Sequence, residues 1–78
     1  DQKVLGTEIE YNPEEEVEFW SNILSENPTY FDALAELTQL KINNNETQEA
    51  FEYLQKAKQV NPNSEKIPNL EEQLRSLY

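Results

Sequence analysis

One piece of punctuation recurs three times along this chain: Asn12-Pro13, Asn27-Pro28 and Asn61-Pro62. An Asn side chain can accept bonds from the free N–H groups of a helix start. Pro costs nothing at the first helical position, where its N–H would be unpaired anyway. Between these marks the apolar residues fall at helical spacing. Val17, Trp20, Ile23 and Leu24 form one stripe, and Leu34, Leu37 and Leu40, flanked by Tyr30, Phe31 and Ala33, form a second. Ala50, Phe51, Leu54, Ala57 and Val60 form a third; Ile67, Leu70, Leu74 and Leu77 form a fourth. The pattern predicts an all-α chain of about four helices, at roughly 13–26, 29–43, 46–60 and 65–77.

Local signals refine that expectation. Asn12 followed by Glu15, and Asn45 followed by Gln48, have the spacing of a capping box. Asn43-Asn44-Asn45 reads as a tight helix–helix turn, because Asn tolerates left-handed backbone. Pro68 requires that the last helix begin just before it, since only the first turn tolerates a missing N–H. Glu52–Lys56 and Glu71–Arg75 have the favoured polarity for i, i+4 ion pairs. Residues 1–11 hold the only Gly and no sustained helical spacing, and are expected to be a flexible arm or linker.

Composition narrows the chemistry. Across 78 residues, 6 Lys+Arg face 16 Asp+Glu for a net charge of −10, with no His, Cys or Met. Without Cys and His there is no thiol nucleophile, zinc knuckle or imidazole base, so no enzymatic role and no cofactor is expected. Glu14-Glu15-Glu16 lacks the alternating Asp/Asn loop with a central Gly that calcium needs, so no metal is expected either. Nucleic acid is disfavoured, because its binding rests on Lys and Arg neutralising phosphates. No apolar run approaches the ~20 residues that a bilayer requires. The expectation is a soluble acidic domain, and the lack of an initiator Met or signal-peptide pattern reads as part of a longer chain.

Pro28 and Pro62 are 34 residues apart, each preceded by Asn, with a helix–turn–helix between them. That is the period of the tetratricopeptide repeat, and residues 31–64 resemble one such repeat. Leu34 and Leu37 match its first-helix positions, Ala50 and Ala57 its two small second-helix positions, Leu54 the large one between them, and Pro62 its close. Thr38, Lys41 and Asn45 depart from the usual small residue, aromatic and turn Gly. Ala50 and Ala57, seven apart, give one helix face a flat side against which the Leu34/Leu37 helix can nest. The resemblance implies antiparallel hairpins in a right-handed superhelix over residues 12–78. Helix 13–26 would be the second helix of a preceding repeat, with Glu16, Trp20 and Ile23 at its signature positions. Helix 65–77 would be a capping helix.

By the same resemblance, first helices line a concave groove that holds peptides. The groove positions of the full repeat would be Asp32, Ala35, Gln39, Ile42 and Asn43. Relatives that clamp a C-terminal carboxylate carry Lys, Arg and Asn there, so Asp32 and Gln39 with nearby Glu36 predict no such clamp. From residue 4 to residue 40 there are nine carboxylates and no Lys or Arg, a face suited to a basic segment. The expected function is therefore non-catalytic protein–protein interaction with a protein or peptide partner of basic character. A structural spacer or self-association into a homodimer, within a larger and membrane-anchored protein, is the alternative. Trp20, Phe31, Phe51 and Tyr53 are expected to pack in the core, and Tyr11, Tyr30 and Tyr78 to be exposed anchors.

Overall fold

The computed structural model describes residues 12–78; the arm or linker expected at 1–11, and Tyr11 with it, lie outside the described residues. Four α-helices follow in order: α1 (Pro13–Glu26), α2 (Phe31–Asn43), α3 (Thr47–Val60) and α4 (Lys66–Arg75). The described residues are all helical with short connections, as the periodicity predicts.

The first Asn-Pro step starts a helix. The Asn12 Oδ1 accepts from the N–H groups of Glu14 (3.0 Å) and Glu15 (3.4 Å), and Glu14, Glu15 and Glu16 place negative charge at the positive end of α1. The other two steps end helices instead. Asn27 (φ −137°, ψ 79°) and Asn61 (φ −146°, ψ 79°) leave helical backbone in the same way, each N–H donating 2.9 Å to a carbonyl four residues back, Ile23 or Ala57. The turn that follows is also shared. Tyr30 N–H donates to Asn27 O (3.0 Å), and Ser64 N–H donates to Asn61 O (3.3 Å). α2 therefore starts at Phe31 rather than 29.

Pro68 falls in the first turn of α4. Its absent N–H would have met Ser64 O, which accepts from Ile67 N–H instead (3.2 Å). Asn45 does not cap α3 as its spacing with Gln48 suggested. It takes the left-handed turn position, at φ 59°, and Glu46 precedes the helix with no side-chain cap.

α2 lies at the centre, in contact with each of the other three helices. Its connection to α3 spans only Asn44–Glu46, and the two fold back on each other as a hairpin with the largest helix–helix interface among the described residues. The Ala pair makes that approach possible. Ala50 and Ala57 are completely buried in one cluster with Leu34 and Leu54. Thr38 is equally buried, and its hydroxyl donates to Leu34 O (2.8 Å), so a polar side chain sits in the core fully paired.

Ala35 and Ile42 extend the cluster to Ile67, Leu70 and Leu74 of α4. Ala33, Leu37 and Leu40 are buried outside it, on the stripe left for α1. Three helices thus divide the circumference of α2 between them. Burying each fully enclosed Leu contributes about 1.5–3 kcal/mol.

Not every stripe residue is inside. Phe51 is 45% exposed, and Val60 and Leu77 are also exposed. Phe51 and Val60 lie about a quarter turn to either side of the Ala50–Leu54–Ala57 line, beyond the width α2 covers. Leu77 follows the end of α4. Phe31 and Tyr53 pack against the core and Trp20 is half-buried, whereas Tyr30 and Tyr78 are exposed as expected.

Charge reinforces the α2–α3 corner. The largely buried Lys41 ammonium reaches Glu49 (2.8 Å) and Glu46 (2.9 Å). The hydrogen bond to Glu49, followed by the pull of Glu46, raises the Lys41 pKa against the effect of burial. The same ammonium holds the Glu46 carboxyl below its ordinary value. The two expected i, i+4 pairs do not form: Glu71 instead bonds Lys58 of α3 (2.7 Å), and Arg75 bonds Glu72 (3.1 Å). Lys56 stands 6.0 Å from the centre of the Tyr53 ring, and Glu52 accepts from Gln48.

Candidate functional site

α2 and α4 lie side by side, one 34-residue period apart, and a cleft of about 400 Å³ opens between them. Ala35, Glu36 and Gln39 line it from α2; Glu65, Lys66, Asn69 and Leu70 line it from the start of α4. Its floor is apolar where Ala35 meets Leu70, and its edges are polar.

The polar edge is a connected run of side-chain amides. Gln39 and Gln73 exchange two hydrogen bonds, Nε2 to Oε1 in each direction, at 2.6 and 3.0 Å. Gln39 Nε2 also donates to Asn43 Oδ1 (3.0 Å), and Gln73 Nε2 donates to Asn69 Oδ1 (2.6 Å). Both glutamines thereby use both of their N–H donors. Asn69, which lines the cleft, accepts through its oxygen and keeps its Nδ2 donors for another partner. A pairing of this kind holds the two helices in register and presents amides at fixed positions.

The charge around the cleft is acidic. Glu36 and Glu65 stand against one cation, Lys66, whose ammonium lies 3.9 Å from Asp32. Such a rim attracts a cationic ligand and repels a carboxylate.

Of the five positions expected to face the groove, Ala35 and Gln39 line the cleft. Asp32 stands outside it, paired across to Lys66, and Asn43 is exposed at the far end of the amide run. Ile42 is only 6% exposed, and Ala35 shows only a sliver of surface, because α4 packs on that side of α2. Ile42 is thus held in the cluster shared with α4, whereas Ala35 keeps its place in the cleft floor. Sequence reasoning missed Glu65, Lys66, Asn69 and Gln73. The signal was present: one period beyond Asp32, Ala35 and Gln39 stand Lys66, Asn69 and Gln73.

A second hollow of about 350 Å³ lies between the start of α1 and the end of α2, lined by Asn12, Val17, Leu40 and Lys41 among others. Lys41, with its ion pair to Glu46, lines the charged side of this hollow. No helix among the described residues is long and apolar enough to cross a membrane. No family model matches this chain, and neither a curated protein nor a solved structure matches it.

Proposed function

We propose that this chain is a tetratricopeptide-type recognition module that binds an extended, basic protein segment in the cleft between α2 and α4, without catalysis. The observation carrying the proposal is the Gln39–Gln73 amide pair beside an acidic cleft. The pair fixes the spacing of α2 and α4, and the Nδ2 donors of Asn69 and the remaining lone pairs of the glutamine oxygens suit the C=O and N–H groups of an extended backbone. Glu36 and Glu65 then select for Lys or Arg side chains. The repeat reading is supported by the matching backbone at Asn27 and Asn61 and by the buried Ala50/Ala57 pair. The titratable groups of the cleft are two carboxylates and one ammonium, with no nucleophile beside a base.

Calorimetric titration with a Lys/Arg-rich extended peptide tests this. Binding should weaken several-fold in a Glu36→Gln/Glu65→Gln variant, and its salt dependence should flatten. Equal affinity for the variant and the parent chain would remove the basis of the proposal.

A further inference from the structure

The internal repeat makes α1 the counterpart of α3. Both have 14 residues, and both end in the Asn-Pro turn described above, so Glu16, Trp20 and Ile23 of α1 occupy the places of Ala50, Leu54 and Ala57. In α3 that face is fully buried, in one cluster with residues of α2 and α4. In α1 it is not. Glu16 is exposed, Trp20 and Ile23 are only half-buried, and no residue of α1 is fully buried. Phe19 stands beside this face, 56% exposed, its ring edge-on to Trp20 at 5.0 Å. The Trp20 indole N–H, which usually finds an acceptor when covered, has none among the described residues.

The surroundings specify what could cover the face. α1 carries Glu14, Glu15, Glu16, Glu18 and Glu26 and no Lys or Arg. A second copy of a chain with net charge −10 would bring like charge against like. Glu16, standing where the hairpin has Ala50, places a carboxylate inside the would-be interface.

We propose that this face of α1 docks an amphipathic helix of a partner protein whose apolar stripe lies on Phe19, Trp20 and Ile23 and whose flanking Lys or Arg residues meet Glu16 and its acidic neighbours. The partner helix takes the position that α2 takes on α3. This surface is separate from the α2/α4 cleft, and it stands or falls independently of that reading.

Trp20 is the only Trp in the chain, so its fluorescence reports on the face directly. The probe is a synthetic Leu/Lys peptide with helical amphipathic order, compared with a scramble of identical composition and with a Leu/Glu counterpart. The ordered basic peptide should shift Trp20 emission to the blue and saturate, and the other two should not. Phe19→Ser should weaken this binding about ten-fold or more, as loss of an aromatic anchor does. Glu16→Lys should weaken it and reduce its salt dependence, whereas Gln59→Ala at an exposed position of α3 should leave it unchanged. Equal binding of the scrambled peptide would overturn the proposal. So would a nuclear Overhauser contact from Val4, Leu5 or Ile9 to the Trp20 indole in the free chain, or a dimer in sedimentation that Phe19→Ser dissolves.

Discussion

Gln39 of α2 and Gln73 of α4 stand one 34-residue period apart and bond each other through both atoms of both amide groups. α2 and α4 thus meet beside the cleft that we assign to partner recognition. The pair is partly buried, so each amide relies on the other in place of water.

That reliance predicts a non-additive result. Gln39→Ala and Gln73→Ala should each cost about 1 kcal/mol, because each strands its partner. The double variant should cost clearly less than the sum, and replacing both by Leu should restore much of the stability. Urea unfolding across the four-variant cycle measures this; strict additivity would show that the pair is not coupled.

Size matters more than hydrophobicity along α3. Ala57→Leu should destabilise by about 1–3 kcal/mol by forcing α2 and α3 apart. Phe51→Ala, which removes a far larger side chain from an exposed position, should cost less than Ala57→Leu. In a domain this small, each kcal/mol shifts the melting temperature by roughly 4–8 °C.

The Lys41 cluster ties stability to pH at both ends of the scale. Glu46 titrates below its ordinary 4.5 in the folded chain, so its contribution is present above that pH and is lost as pH falls through the lowered value. Lys41 titrates above its ordinary 10.5, so its contribution is complete below that pH and disappears as pH rises through the raised value. Lys41→Met should flatten both limbs in urea midpoints measured across pH. A variant whose acid limb matched that of the parent would place the acid sensitivity elsewhere.

Peptides ending in a free carboxylate should not bind the α2/α4 cleft. Its one cation, Lys66, already faces Asp32, and Glu36 and Glu65 add repulsion. Titration with an acidic C-terminal peptide should give no saturable heat. Binding that vanished in Asn43→Ala would reveal a carboxylate site at the end of the amide run.

Much of the architecture could be read before any coordinates, because single residue types carried it. Pro cannot continue a helix, so the Asn-Pro steps set the boundaries; two Ala residues seven apart set the closest helix contact. What escaped depended on neighbours distant in sequence. Ile42 read as groove surface because nothing local shows that α4 will lie on it. Glu71 has a suitable partner four residues on in Arg75, yet it bonds Lys58 of the adjacent helix. Asn45 could have capped α3 or turned the chain, and the three-residue connection demanded the turn. The amide pair was implicit in the period but needed α2 and α4 side by side to become visible.

The most direct test of partner recognition follows the side-chain amide resonances of Gln39, Asn69 and Gln73 while an extended Lys/Arg-rich peptide is added. The account predicts that these three signals move together and saturate, with the Ala50 and Ala57 methyl groups undisturbed. Saturable binding that left all three amides in place would contradict it.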